Sequence, residues 1–318
     1  MSILKPSLAE DAILEKVQFP CWHQPKIDGV RAMNLTGTLT GRSLDPFKGT
    51  GITDYFSQHT SFVGFDGEMT LGNKPNCTER LCSMTTGAMG RFNDVAEMPD
   101  LHWWVFDFVR SETINLAYNV RYHMLRNHVE RLDHPRIHLV PFEVCNDLDA
   151  LKACIASHAE QGYEGSIIRN PQAIYKPGRA TLKGQQLWRV KPWADAEILV
   201  TRIIEGNTNA NEAKKNSLGR TERSSAMTGL VPNGQVGSIQ GTLLADFIDP
   251  ISGKLLFAKG LEITVSSGAM TVKEALHYFA HPGEIVGHIV KFQHMTHGVK
   301  DLPRFPGYIS HRLKEDMS

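Results

Sequence analysis

One lysine, Lys26, lies in a run whose residue types could carry out covalent chemistry. Residues 24–31 read Gln-Pro-Lys-Ile-Asp-Gly-Val-Arg, so a proline precedes the amine, and a carboxylate, a glycine and a guanidinium follow it. Pro25 restricts the backbone before the lysine, and Gly29 allows a tight turn or a close approach to a ligand. A lysine amine attacks phosphorus only when it is unprotonated, which burial or neighbouring cations favour. The same residues also fit a plain turn in which Lys26 pairs with Asp28.

Further charged side chains adjoin short apolar runs later in the chain. They are Arg42, Glu68, Glu164, Arg189 and Lys191. The last two are separated by one residue and therefore share one face of a strand. Each segment alone fits an ordinary turn or a solvated strand face. Their common order along the chain with Lys26 is what makes the set informative.

Short apolar segments rich in β-branched and aromatic residues predict the strands that position these side chains. In the first part of the chain the predicted strands cover residues 103–109, 137–144, 165–169 and 187–190. Helical spacing predicts helices over residues 120–132 and 147–160, the second with Asp147 as its N-cap. This part is therefore predicted to be an α+β domain with a largely antiparallel sheet core.

The pattern of predicted strands and helices changes after residue 194. Predicted strands cover residues 198–204, 238–247, 254–258, 261–266 and 285–295, with a helix over 272–280. Short strands with a single helix suit a small β-barrel such as an OB-fold. We therefore expect two domains, residues 1–194 and 195–318. The polar, basic stretch 206–237 is too long for an ordinary hairpin and is predicted to be a long loop, either functional or flexible.

Composition narrows the class of protein. The 318 residues are 41% hydrophobic and 21% charged, as in ordinary globular proteins, and no apolar run approaches the ~20 residues that cross a bilayer. Basic and acidic side chains number 34 each, so net charge neither predicts nor excludes a nucleic-acid partner. Five scattered cysteines argue against a disulfide framework or a structural zinc site. With no signal-peptide pattern, they favour the cytoplasm and no membrane partner.

Taken in order, the charged segments resemble the nucleotidyltransferase motifs of ATP-dependent DNA ligases of the small bacteriophage type. Residues 26–31 resemble motif I, 65–68 motif III, 104–108 motif IIIa, 164–169 motif IV and 189–191 motif V. Residues 175–179, 220–225 and 302–306 are also similar to runs in such phage enzymes. The resemblance implies a nucleotidyltransferase domain, ATP-grasp-like with mainly antiparallel sheets, followed by a C-terminal OB-fold barrel.

The resemblance also implies an activity. ATP would donate AMP to Lys26, the AMP would pass to the 5′-phosphate of a nick in duplex DNA, and the 3′-hydroxyl would displace it. The family chemistry needs Mg²⁺, for which Mn²⁺ could substitute. A monomer acting in DNA replication and repair, in the cytoplasm of a bacterial host, is the implied setting.

The resemblance assigns the cations to phosphate binding. Arg31 and Arg42 would bind the ribose side of ATP and later the 5′-phosphate of the nick, a task suited to the fork of guanidinium donors. Lys191, with Arg189, would contact the α-phosphate. Arg189 departs from the family pattern, which usually has lysine at that first basic position of motif V.

The remaining nucleotide contacts follow from the same resemblance. Glu68 and Glu164 would contact the ribose and coordinate Mg²⁺. Gln24 would read the edge of the adenine, where many relatives carry glutamate. Phe106 would stack on the adenine ring, and the alternative for this residue is core packing among its apolar neighbours.

DNA contacts are predicted at basic residues outside the nucleotide motifs. These candidates are Arg179, Lys214, Lys215, Arg220, Arg223, Arg304 and Arg312. Those in the 206–237 stretch would contact backbone phosphates without reading sequence, and a solvated linker loop is the competing interpretation. Arg312 lies in a run, residues 311–314, that loosely meets motif VI, so it would orient the pyrophosphate.

Rival functions share parts of this pattern. An RNA ligase or an mRNA guanylyltransferase would use the same covalent lysine chemistry. An NAD-dependent ligase is disfavoured because the chain lacks a four-cysteine zinc module. A non-catalytic OB-type nucleic-acid binding protein with a decayed transferase domain is the alternative outside the enzymes.

Overall fold

The computed structural model describes residues 4–76, 81–249, 253–296 and 302–312. The chain divides into two compact units, Met1–Lys191 with Lys215–Arg220, and Pro192–Lys214 with Thr221–Ser318. The division falls between Lys191 and Pro192, shortly before the expected boundary. Within the described ranges, none of the helices has the length and apolar character needed to span a membrane.

Among its described residues, the first unit has twelve strands and four α-helices. The strands are β1 Ser7–Leu8, β2 Glu10–Asp11, β3 Cys21–Lys26, β4 Val30–Asn34, β5 Leu39–Thr40, β6 Phe65–Leu71, β7 Leu101–Phe108, β8 Ile137–Leu139, β9 Glu143–Cys145, β10 Gly165–Arg169, β11 Gly178–Arg179 and β12 Leu187–Val190. The helices are α1 Thr50–Ser57, α2 Leu81–Arg91, α3 Tyr118–Leu132 and α4 Leu148–Glu160. Short 3₁₀ turns cover Leu14–Lys16, Thr60–Phe62 and Val95–Glu97.

Two five-stranded sheets form the body of this unit. Their strand orders are β2-β12-β10-β3-β9 and β5-β4-β6-β7-β8, and β1 pairs with β11 in a separate two-stranded sheet. Most neighbours are antiparallel; the parallel pairs are β1 with β11, β2 with β12, and β7 with β8. This confirms the predicted α+β architecture with largely antiparallel sheets.

Strand register brings distant parts of the sequence together. Lys26 at the end of β3 lies opposite Gly165 at the start of β10. Strand β10 in turn pairs with β12, so that Ile167 faces Arg189. In the second sheet, Arg31 on β4 is the direct partner of Glu68 on β6. Hydrogen-bonded strands therefore place most of the charged motifs side by side.

The core of the first unit lies between the second sheet and helices α1 to α3. Its largest fully buried side chains include Phe56, Phe62, Phe65 and Trp103. Helix α4 begins as predicted, because the Asp147 side chain accepts a hydrogen bond from the backbone N–H of Ala150 at 2.8 Å.

The predicted strand over residues 137–144 is wrong in one respect, since it forms two strands in different sheets. Strand β8 pairs with β7, whereas β9 pairs with β3. Pro141 lies between them and has no N–H to give to a strand ladder. The carbonyl oxygen of Val140 instead accepts the Tyr122 hydroxyl at 2.7 Å.

The second unit is a closed five-stranded barrel. Its elements are β13 Trp193–Asn209, β14 Ala213–Lys215, β15 Thr221–Arg223, β16 Leu230–Leu243, β17 Phe247–Ile248, β18 Leu255–Phe257, β19 Glu262–Ser266, β20 Ile289–Met295, β21 Arg304–Arg312, the helix α5 Val272–Ala280 and 3₁₀ turns Met227–Gly229 and Pro282–Glu284. The barrel order is β13-β16-β19-β21-β20. Inward side chains such as Ile198, Ile239, Val265 and Phe292 fill it.

The long loop predicted over residues 206–237 is mostly strand instead. Strands β13 and β16 extend beyond the barrel as a two-stranded ribbon, in which Asn207 pairs with Pro232 and Asn209 with Leu230. Strands β14 and β15 then form a separate small hairpin. The polar composition obscured this ribbon because both of its faces are exposed to solvent, so no apolar alternation marks it.

Candidate active site

A cavity of about 240 Å³ lies within the first unit and gathers most of the predicted site residues. The predicted nucleotide contacts that line it are Gln24, Lys26, Arg31, Arg42, Glu68, Phe106, Arg189 and Lys191. Arg179, which the sequence assigned to DNA contact, and Arg169 line it as well. The cavity is therefore rich in cations, as a site for a polyphosphate needs to be.

One carboxylate links the two lysines of the cavity. The Lys26 ammonium donates to Oε2 of Glu164, and Lys191 Nζ lies 3.0 Å from Oε1 of the same side chain. The Glu164 side chain is only 5% exposed. Burial alone would raise the pKa of Glu164, but the attraction of Lys26 and Lys191 outweighs it and holds that pKa below its ordinary value. Glu164 therefore remains an anion in this state.

A close approach between backbones shapes the turn after Lys26. A Cβ at Gly29 would collide with the carbonyl oxygen of Met69 and would lie 2.8 Å from Cγ of Glu68. Only glycine fits there without a shift of β6, so the turn tightly connects β3 to β4. This contact places Glu68 beside the end of β3.

Arg31 is held in a fixed orientation by a buried acid. Its Nε and Nη2 donate to the two carboxylate oxygens of Asp66 at 2.5 and 2.7 Å. Burial disfavours the charge, but Asp66 more than compensates and keeps the pKa of Arg31 above its usual value. A two-point ion pair of this kind fixes the plane of the guanidinium. Arg31 therefore presents its remaining donors to the cavity in a preset direction.

Phe106 lies outside the hydrophobic core clusters of the described residues. Its half-buried ring lines the cavity, with the guanidinium of Arg31 4.8 Å and that of Arg169 5.2 Å from the ring centroid. These positions fit cation–π contacts. The core-packing alternative therefore does not describe this side chain, and stacking on adenine stays a prediction.

The side-chain amide of Gln24 is already engaged in a hydrogen-bond network. Its Oε1 accepts Nε of Arg169 at 2.8 Å and lies 3.0 Å from the Tyr118 hydroxyl, and its Nε2 is 3.4 Å from the Val140 carbonyl oxygen. With the oxygen occupied, only the weakly held Nε2–H is available to read an adenine edge.

Buried acids support the arginines of this network, and the sequence interpretation did not select them. Asp107 accepts Nε and Nη2 of Arg121 at 2.8 and 3.0 Å, and Nη1 of Arg169 lies 3.5 Å away. The sequence does indicate that Asp66 and Asp107 are buried acids in need of a partner, since each is a carboxylate within a run of apolar strand residues.

Glu68 is the more suitable of the two predicted metal ligands. It makes no hydrogen bond or ion pair within the described part of the chain, whereas both oxygens of Glu164 are occupied by lysines. Burial raises the pKa of Glu68 to about 7, even though Lys26 and Arg31 oppose that shift. A carboxylate that is costly to ionise gains from a cation, so Glu68 fits a hard divalent ion.

The other predicted cations of the cavity differ in how firmly they are held. Arg189 donates to both carboxylate oxygens of Asp11, at 2.7 and 3.1 Å, and this pairing raises the pKa of Arg189. Arg179 donates to the carbonyl oxygen of Ala9 at 2.9 Å. Arg42 is exposed on a turn. Of the three, Arg42 has the greatest freedom to move toward a ligand.

The other predicted DNA contacts are divided between the two compact units. Lys214, Arg223, Arg304 and Arg312 belong to the second unit. Arg312 donates Nε and Nη2 to Oε1 of Glu197 at 2.9 and 2.8 Å, and residues 313 and 314 of the motif VI run lie outside the described residues. Lys214 and Arg223 are exposed on the small hairpin, as are Lys215 and Arg220, which group with the first unit without lining the cavity.

A family model described as the ATP dependent DNA ligase domain matches residues 5–191, more than half of the chain. The chain belongs to this ligase family. The matched residues coincide with the first compact unit and include every side chain that lines the cavity.

Viral DNA ligases are among the relatives in sequence. The DNA ligase of African swine fever virus, isolate Warthog/Namibia, is 32% identical over 146 residues. That match takes in 45% of this chain and 32% of the relative, so the chain spans about a third of the viral enzyme. The isolate from Malawi ticks gives the same values.

Solved ligase structures share the fold. The chlorella virus DNA ligase–adenylate is 24% identical, with a TM-score of 0.51, over 99% of this chain and 100% of that one. A Lig E DNA ligase is 19% identical, with a TM-score of 0.66, over 98% and 100%. Both likenesses extend over the two compact units and confirm a ligase-type nucleotidyltransferase fold followed by a C-terminal domain.

Proposed function

We propose that this protein is an ATP-dependent DNA ligase that seals nicks between a 5′-phosphate and a 3′-hydroxyl in duplex DNA. The observation that carries the proposal is the cavity in which Lys26, tied through Glu164 to Lys191, lies among arginines. Membership of the ligase family and the names of the viral relatives support the same activity.

The first step forms a bond between Lys26 and phosphorus. Lys26 first gives up its ammonium proton to solvent; the neutral amine then attacks the α-phosphorus of ATP, a P–N bond forms with loss of a second proton, the P–O bond to the β-phosphate breaks, and pyrophosphate leaves. Lys191 and Arg189, which line the cavity, would balance the charge on the α-phosphate oxygens.

The next two steps use the same cations. A 5′-phosphate oxygen of the nick attacks the phosphorus of the lysyl-AMP, and the P–N bond breaks. The 3′-hydroxyl then attacks the 5′-phosphate, and AMP leaves. Arg42, exposed on a turn at the cavity, suits the 5′-phosphate because no fixed partner restrains it among the described residues.

A divalent cation would be held chiefly by Glu68. Mg²⁺, or Mn²⁺ in its place, would neutralise charge on the phosphate oxygens during transfer. Glu164 can join Glu68 only if its two lysines move away. The monomeric state and the setting in a phage-infected bacterial host, which the resemblance implies, stay predictions.

DNA binding is proposed for the ribbon and hairpin of the second unit. Lys214 and Arg223 project from β14 and β15, and all residues of these two strands are exposed. Arg223 also donates to the Asn211 carbonyl oxygen, which stiffens the hairpin. Exposed cations on a protruding ribbon can contact backbone phosphates without reading sequence.

A nick-sealing assay tests the proposed function. The full chain is incubated with ATP, Mg²⁺ and a duplex in which one strand carries a 5′-phosphorylated nick, and the products are separated on a denaturing gel. We expect a sealed strand in DNA. Sealing confined to RNA substrates, or covalent labelling by GTP with no sealing, would support an RNA ligase or a guanylyltransferase instead.

A further inference from the structure

A second group of reactive side chains lies on the far side of β3 from the cavity. Strand alternation points Gln24 and Lys26 to one face and His23 to the other. The imidazole of His23 packs on helix α4, where it stacks on the ring of His158 with the centroids 4.5 Å apart. One face of β3 therefore lines the cavity, and the other packs against helix α4.

His23 is buried without the partners that an imidazole needs. It is 0% exposed, and neither ring nitrogen has a hydrogen-bond partner within the described part of the chain. Its Nδ1 lies 4.0 Å from a carboxylate oxygen of Glu143, its cross-strand neighbour on β9. Nδ1 of the stacked His158 also lacks a partner there. Buried polar atoms are rarely left in this state.

Thiols complete the surroundings of His23. A ring nitrogen of His23, a carboxylate oxygen of Glu143 and Sγ of Cys154 all lie within 4.8 Å of one another. Sγ of Cys145 lies 3.6 Å from Sγ of Cys154. Cys154 and His158 are one turn apart on α4 and face the same side. The ligand atoms thus come from two strands and one helix.

We propose that His23, Glu143 and Cys154 bind a divalent cation of the zinc class, with Cys145, which lies beside Cys154 but outside this group of three, as the nearest further thiol. A mixed set of nitrogen, sulfur and carboxylate ligands suits Zn²⁺ rather than Mg²⁺. Ligand atoms around tetrahedral zinc are separated by roughly 3.3–3.8 Å, given bonds of about 2.0–2.3 Å. The exposed Glu143 side chain can close the remaining gap by rotation. Each coordinating thiol would release its proton to solvent.

Such an ion would fasten β3 and β9 to helix α4. Because β3 ends at Lys26, the site would brace the strand that carries the proposed nucleophile without touching the nucleotide. The scattered cysteines in the sequence argued against structural zinc, yet strand pairing and helix packing gather three of them here. The proposal does not depend on ligase activity.

An exposed cluster provides an internal control. His277, His281 and Glu284 also have ligand atoms within 4.8 Å of one another, but all three are exposed. His277 Nε2 lies 2.7 Å from Glu284, and Nδ1 of His281 is 3.1 Å from the His277 carbonyl oxygen. These contacts satisfy the groups without a metal ion.

Metal titration of the full, reduced chain tests the proposal. Zinc is removed with a chelator and returned against a chromophoric competitor, and Co²⁺ is used as a spectroscopic probe. We expect one tightly bound equivalent with thiolate-to-cobalt charge transfer. Loss of a residue that only supports a metal ligand lowers metal affinity by ~10–100-fold. Because Cys154→Ser and His23→Gln remove proposed ligands themselves, they should weaken Zn²⁺ binding by more than that. His281→Ala and Cys82→Ser should leave this equivalent unchanged.

Glu143→Gln keeps the test decisive if a core variant fails to fold. Its side chain is 54% exposed, so the substitution leaves folding intact while removing a ligand charge. Absence of a bound equivalent in the wild-type chain would overturn the proposal. So would an equivalent that survives Cys154→Ser, His23→Gln and Glu143→Gln, or one that His281→Ala abolishes. Since the readout uses neither ATP nor DNA, these outcomes leave the proposed ligase function untouched.

Discussion

Glu164 accepts the Lys26 ammonium through Oε2 while its Oε1 lies 3.0 Å from Nζ of Lys191. Two cations that belong to distant parts of the sequence thus share one buried anion. We expect a phosphate that enters between them to compete with the carboxylate for these two cations. The carboxylate thus balances the two positive charges while the cavity holds no nucleotide.

Phe106→Ala should weaken ATP binding more than it destabilises the fold. Loss of base–aromatic stacking costs about 1–3 kcal/mol, which corresponds to a 5- to 150-fold rise in the ATP concentration needed for half-maximal adenylation. Phe106→Tyr should retain most of the affinity. Phe62→Ala, a matched core variant, should lower the free energy of unfolding without this rise. Equal ATP dependence of Phe106→Ala and the wild type would rule out stacking.

Arg121→Met should strongly destabilise the first unit. The substitution leaves the Asp107 carboxylate, whose side chain is 2% exposed, without its close cation; the Phe108 backbone N–H at 2.9 Å and the longer contact to Arg169 stay. Breaking a buried pair in this way costs about 3–5 kcal/mol. Urea denaturation followed by tryptophan fluorescence measures it, since all tryptophans except Trp193 lie in this unit.

The matched control for this buried pair is Arg126→Met on the exposed face of the same helix. It should change the free energy of unfolding by less than about 0.5 kcal/mol. Arg121→Met combined with Asp107→Leu should recover part of the lost stability, because the buried carboxylate is then removed while Arg169 keeps its hydrogen bond to Gln24. Equal effects of Arg121→Met and Arg126→Met would show that the pair contributes nothing.

His294 should make the barrel unit sensitive to acid. Its ring is fully buried among Phe247, Phe257 and Phe292, and burial lowers the pKa of His294 below the ordinary 6.5. As pH falls through 6.5, the unfolded chain binds a proton that the folded chain resists, so stability is lost on the acid side.

Thermal unfolding of the second unit at several pH values tests this titration. The wild type should lose stability as pH falls from about 7 to below 6, and His294→Leu should lose less over the same interval. A parallel decline in both proteins would assign the acid sensitivity to other groups. The C2–H resonance of His294 should correspondingly show no titration near pH 6.5.

Neutralising Lys214, Lys215, Arg220 and Arg223 should weaken binding to nicked duplex DNA and reduce its salt dependence. Each lost phosphate contact lowers the slope of log affinity against log salt by about 0.9. Neutralising the exposed Lys254, Lys259 and Lys273 removes three charges elsewhere in the second unit and serves as the control for the four removed from the hairpin. An unchanged slope in the hairpin variant would support a solvated connection without a DNA contact.

Much of the site was predictable because its residues lie on strands or next to them. Strands β10 and β12 were predicted with their observed bounds, and alternation along β12 indicated that Arg189 and Lys191 share a face. Both line the cavity. Pairing of β3 with β10 then brings Glu164 to Lys26. The residues around each of them do not predict this contact; only the order of the motifs suggested it.

The remaining features depend on contacts between distant segments. Which arginine Asp66 or Asp107 holds is decided by sheet packing, so the sequence showed only buried carboxylates. Cys21 and Cys145 meet because β3 pairs with β9. Cys154 reaches them from α4, over which the chain shows only helical spacing. The spacing of the cysteines along the chain therefore does not reveal the cluster.

Covalent labelling by ATP tests the central claim most directly. The full chain is incubated with ATP labelled at the α-phosphate, and the modified residue is located by peptide mass mapping. We predict AMP on Lys26. Lys26→Ala and Lys26→Arg should lose adenylation by at least ~10³-fold, as expected for removal of a nucleophile. Lys26→Ala should still seal a nick whose 5′-phosphate is already adenylated. AMP on another residue, or undiminished labelling of Lys26→Ala, would contradict the account.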